Sequence, residues 1–174
     1  MRATILVVAC LMLGSVLGLS AADKKVDRHI EKAGGFSFVP PEDFMLKALP
    51  GIKYKAAIGP AADGFAPNIV FVDEAHKGTL AEYVEANKKG LKMTFKNYKE
   101  VTEKNFKTEG GAECAMLRIQ RDEKGKALRQ TFYFFEVSPD RKMVATASTA
   151  VGAAGEKWEP ILEASIKTFR LEKR

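Results

Sequence analysis

AECAMLRIQRD (residues 112–122), ALRQTFYFFEV (127–137) and KMVATASTA (142–150) are three apolar-rich runs separated by short polar connections. Asp122-Glu123-Lys124-Gly125-Lys126 lies in the first gap. Ser138-Pro139-Asp140-Arg141, with proline at the second position of a type I turn, lies in the second. Connections this short force neighbouring strands to run antiparallel. Residues 112–149 therefore read as the middle of an antiparallel meander.

Alternation along the runs describes both faces of that sheet. Ala115, Leu117 and Ile119 point one way, and Cys114 and Met116 the other. Leu128, Phe132 and Phe134 oppose Tyr133, Phe135 and Val137. A sheet with one wet face shows cleaner polar alternation, so both faces need cover. Two helical patterns can supply it. Thr79 followed by Glu82 is a capping box, and Leu80, Tyr83, Val84, Leu91 and Phe95, with Asn87, form one stripe after it. Trp158, Ile161, Leu162, Ser165, Ile166 and Phe169 form the second stripe, with Pro160 tolerated in its first turn.

Working back toward the N-terminus, Val101–Thr108 reads as a strand joined to the meander by Glu109-Gly110-Gly111. Asn68–Asp73 is a short β-branched and aromatic run suited to a strand buried on both faces. Ala61–Pro67 reads as a loop, Ile52–Ile58 as a strand, and Met45–Leu49 as a brief extended or helical piece. Phe36-Ser37-Phe38-Val39 reads as an edge or first strand stopped by Pro40-Pro41.

The order of these elements resembles the superfamily of the photosystem II extrinsic protein PsbP, the Ran-binding protein Mog and the bacterial envelope protein DcrB. The residues that carry the likeness are the Phe36-Ser37-Phe38 strand and turn, Asn68-Ile69-Val70-Phe71-Val72, Leu80–Val84, Met143–Ala147, and Ile161–Ile166 followed by Phe169. The likeness spans residues 34–172. It implies an α+β fold: an α/β/α sandwich whose central antiparallel sheet is covered by helices on both faces. It also implies a binding or assembly protein with no enzyme activity and no family-wide site.

The chain has 174 residues, 46% apolar and 29% charged, with a net charge of +6. That is the balance of one globular domain, and it permits contact with anionic surfaces without naming one. Residues 1–22 read as a cleaved secretory signal. Arg2 is the basic start, Ile5–Leu19 the apolar core of 15 residues, and Ser20 and Ala22 the small residues before the cut. Val7-Val8-Ala9-Cys10 imitates the approach to a lipidated cysteine, but the apolar run continues past Cys10 to Leu19. Residues 23–33 then read as a linker and 34–174 as a single domain. The expected location is periplasmic or secreted, with no transmembrane segment in the mature chain.

No catalytic, cofactor-binding or metal-binding residue emerges. Loss of Cys10 leaves Cys114 as the lone thiol, a small buried hydrophobe with no base beside it. Asp73, Glu74 and His76 lie close in sequence, but one histidine and two carboxylates in a loop are ordinarily solvated. Lys88, Lys89, Lys92, Lys96 and Lys99 form a basic stripe on the first helix that offers an anionic contact. Few aromatic residues interleave with it, so nucleic acid is not expected. The expected function is a non-catalytic envelope protein that binds another envelope protein. The alternative is a carrier of a small apolar ligand or lipid, with the aromatic run Phe132–Phe135 lining a cavity.

Overall fold

The computed structural model describes residues 27–62 and 64–172. The leader, residues 1–22, and with it the signal-peptide expectation, lies outside the described residues. In chain order the elements are β1 (His29–Glu31), β2 (Phe36–Phe38), β3 (Met45–Lys47), β4 (Ala56–Ile58), β5 (Asn68–Ala75), α1 (Leu80–Thr94) and β6 (Lys99–Lys107). They continue with β7 (Glu113–Glu123), β8 (Lys126–Ser138), β9 (Arg141–Ala150), α2 (Ala153–Glu156), α3 (Trp158–Lys167) and β10 (Arg170–Leu171).

Seven strands form one antiparallel sheet in the order β3-β4-β5-β9-β8-β7-β6. The meander is its centre. β7 and β8 are joined by Lys124 and Gly125, both at positive φ (49° and 78°). Positive φ at both central residues is what a two-residue hairpin turn demands, because its twist matches that of the strands. The other three strands, β1-β2-β10, form a separate small sheet.

The expected α/β/α sandwich is corrected by this arrangement. Strands dominate, and helix is confined to α1, α3 and the single turn of α2. One face does carry α1: Tyr83, Val84 and Leu91 pack with Leu117, Ile119, Phe132, Phe134 and Val144. The other face is not closed by a helical layer. The small sheet delivers Phe36 and Phe38 onto it beside Trp158, Leu162 and Ile166 of α3, over Met116, Tyr133, Phe135, Phe71 and Met143. The physical reason is short-range. The three-residue β2 buries both of its phenylalanines because strands on either side supply its hydrogen bonds, β1 through His29–Phe38 and Glu31–Phe36, and β10 through Arg170–Ser37 and Leu171–Phe36.

Several boundaries also differ. His29–Glu31, within the stretch read as a linker, pairs with β2. Only Ala56–Ile58 of the expected strand from Ile52 is extended in a sheet, and a single helical turn, α2, precedes α3. Within α2, Gly155 lies so close to the Ala150 carbonyl that a Cβ there would stand 1.7 Å from its oxygen. No helix among the described residues is long and apolar enough to cross a membrane.

Candidate functional site

Asp73, Glu74 and His76, at the end of β5 and just beyond it, separate for a simple geometric reason. Asp73 and Glu74 are neighbours on β5, so their side chains leave opposite faces of the sheet. Asp73 turns toward Lys53, whose Nζ lies 3.0 and 3.2 Å from its two oxygens, and toward Arg141, whose Nε lies 3.2 Å from Oδ2. Burial by itself raises the Asp73 pKa. The Tyr54 hydroxyl beside it, Lys53 and Arg141 outweigh that and hold the carboxyl below its usual range.

Glu74 instead accepts a 2.5 Å hydrogen bond from the Tyr83 hydroxyl. Burial, then this carboxylate, push the Tyr83 pKa far up. His76 stacks obliquely against the Tyr83 ring, 4.9 Å between centroids. Among the described residues no group of three His, Cys, Asp or Glu side chains is placed to hold a metal ion.

Cys114 is buried and 3.6 Å from the Ala115 carbonyl. Burial pushes its pKa far up, which keeps the sulfur protonated and a poor nucleophile. The aromatic run is core. Tyr133, Phe134 and Phe135 are almost wholly buried, and Phe135 stacks on Phe169 at 4.2 Å.

Of the expected lysine stripe, Lys88, Lys89 and Lys92 lie on α1, while the helix ends at Thr94 before Lys96 and Lys99, and what lies on the helix is partly neutralised by its own chain. Lys88 pairs with Glu103 at 2.8 Å and Glu85 at 3.2 Å, and Lys92 with Glu100 at 3.3 Å. The Lys88–Glu103 and Lys92–Glu100 pairs tie α1 to β6. On the opposite face, Glu159 and Glu163 of α3 meet Arg118 (3.3 Å each), and Glu159 also meets Arg129 at 2.8 Å. Arg118 Nε donates to Thr131 at 3.0 Å. Both carboxylates thus help to dock α3 on the sheet.

A buried polar row also crosses the sheet under the C-terminal end of α1. Arg121 donates from Nε to Gln130 at 2.5 Å, and Gln130 donates to Ser148 at 3.0 Å. The Arg121 guanidinium sits 4.2 Å above the Phe95 ring. The row is satisfied within the fold, as buried polar groups must be.

What remains open is an edge. β6 closes one side of the seven-stranded sheet, and every residue from Lys99 to Asn105 is exposed, with Lys107 exposed beyond the half-buried Phe106. Its inner side pairs with β7, with a bulge between Glu100 and Thr102 that leaves Val101 projecting, 43% exposed. Four of its charged side chains are already matched: Glu100 and Glu103 to α1, Lys104 to Glu163 at 2.8 Å, and Lys107 to Glu113 at 2.8 Å. The sequence pattern located this strand but carried no sign that it ends the sheet. Strand order is a property of the whole chain.

No family model matches the chain, and no curated protein does. Solved structures do. A Pseudomonas aeruginosa protein of unknown function, PA94, superposes with a TM-score of 0.57 at 18% identity, over 75% of this chain and 97% of that one. LpqN of Mycobacterium tuberculosis, described as involved in cell envelope biogenesis, gives 0.59 at 14% identity over 79% and 83%. A Bacteroides thetaiotaomicron protein gives 0.58 at 12% identity over 87% of this chain, which spans half of the Bacteroides chain. At these identities the likeness is one of fold: the chain shares its architecture with bacterial proteins, one of which is tied to the cell envelope.

Proposed function

We propose that this protein is a non-catalytic module of the bacterial cell envelope, that it binds or assembles with another envelope protein, and that β6 is the element that does so. The carrying observation is the open edge of nine residues, Lys99–Lys107. An exposed sheet edge offers unpaired backbone N–H and C=O groups to an incoming extended segment. The leader read as a secretory signal, the PsbP/Mog/DcrB-like order of elements and the fold shared with LpqN support the envelope setting.

The edge discriminates against a second copy of itself. Residues that face each other in an antiparallel pair share a side of the sheet. The full-length register therefore sets Glu103 against Glu103 and Lys99 against Lys107. Like charges directly opposite are destabilising, which disfavours a second copy in that register and favours a different protein as the partner.

A photoreactive amino acid in place of Val101 tests this in intact envelopes, with the exposed Met93 of α1 as the control position. The expected result is one discrete protein adduct from position 101 and none from position 93. No adduct at 101, or the same adducts from both positions, would remove the proposal.

A further inference from the structure

A second opening lies where the small sheet meets the ends of β8 and β9, independent of β6. It is a cleft of about 250 Å³ between the β1–β2 turn, the end of β8 and the start of β9, and β10. Gly34 and Gly35, Val137 and Ser138, Arg141, and Leu171 with Glu172 line it.

Arg141 is the feature that gives the cleft its chemistry. It is the first residue of β9, so the tight turn before it fixes its backbone. Its Nη2 donates to the Gly34 carbonyl, which ties β9 to the β1–β2 turn. Its Nε faces Asp73 at 3.2 Å but makes no hydrogen bond there. Asp73 is shared, because Lys53 holds it from the other side. Two cations therefore divide one carboxylate; Nε is buried against Asp73, and of the four Nη–H donors that remain only one is spent, on Gly34.

The side chain is thus pinned in place without being saturated, which is the condition for capturing an anion at low entropic cost. Val137 and Leu171 supply apolar surface beside it. Asp73 and the exposed Glu172 bring negative charge, which disfavours a dianion but tolerates a single carboxylate on the arginine.

We propose that this cleft binds a small monocarboxylate with an apolar tail, its carboxylate on Arg141 and its tail on Val137 and Leu171.

The test is a titration of the isotope-labelled protein followed by NMR, with hexanoate as the probe and hexanamide and inorganic phosphate as comparisons. Hexanoate is expected to give saturable shifts at Gly35, Val137 and the Arg141 Nε–H, with a Kd of about 1–10 mM as befits so few atoms. Arg141→Gln should weaken it about tenfold or more. Because that change also removes the tie to Gly34, Glu172→Gln is the second arm: its side chain is exposed, and the loss of a rim charge should tighten hexanoate about two- to fivefold. No saturable shift with hexanoate, an equal response to hexanamide or to phosphate, or hexanoate binding indifferent to both substitutions would each overturn the assignment.

Discussion

Replacing Asp73 by Asn removes the carboxylate that Lys53 and Arg141 share while keeping its size. The folded-state pKa of Asp73 is depressed. Its contribution to stability is therefore fully present above the unfolded value of about 4, and is lost as pH falls through the folded value. Urea unfolding of the parent protein should show stability dropping below about pH 4, and Asp73→Asn should flatten that drop while lowering stability at pH 7. An unchanged pH profile would mean that the two cations find other partners. Glu163 behaves in the same sense. Burial raises its pKa, but Lys104 and Lys167 prevail and hold it down. The site chemistry at this scale was hidden from the sequence. Lys53, Asp73 and Arg141 belong to three distant segments, and only the pairing of Ala75 with Arg141 and Asp73 with Met143 brings β5 and β9 alongside.

Among the elements, α1 offers the cleanest test of local instructions. Thr79 accepts from the Glu82 amide at 3.2 Å, and the Glu82 carboxylate accepts from the Thr79 amide at 2.8 Å. Thr79→Ala should lower stability by about 0.5–2 kcal/mol, measured by denaturant midpoint with an unchanged slope. This cap was legible because both halves of it sit three residues apart. The meander was legible for a similar reason, since period-two alternation and short turns are local. The faces assigned to Leu117 and Ile119 and to Cys114 and Met116 recur in the two packed clusters. The second helical stripe was legible too, except that Ile161 stays 41% exposed while its neighbours bury. β1, β2 and β10 were not resolved as a sheet. Runs of two or three residues have no period, and their pairing is decided by partners far along the chain.

For the whole molecule, the junction of the two sheets is the decisive region. Phe169 follows α3 and lies against Phe135 at 4.2 Å, Phe36 at 5.7 Å and Phe71 at 6.1 Å. Its ring thus joins β8 and β5 of the large sheet to β2 of the small one. Phe169→Ala should destabilise by about 3–5 kcal/mol in equilibrium unfolding, with collapse of the small sheet seen as amide exchange at Phe36–Phe38. A loss below about 1 kcal/mol would show that the two sheets hold together without it. The helix-covered sandwich suggested by family likeness missed this junction. Two apolar sheet faces announce that cover is needed, but a helix and a pair of short strands satisfy that need equally well.

The pairing of β10 with β2 also sets an order of events during synthesis. Phe36 and Phe38 are made early, and the strand and ring that bury them, β10 and Phe169, are made only after all of β3 to α3. Until then those two phenylalanines have no native shelter on one side. Closing so long a loop is slow, because its entropy must be lost before any contact compensates for it. A chain in synthesis therefore carries this aromatic pair without its full cover until β10 and Phe169 have been made.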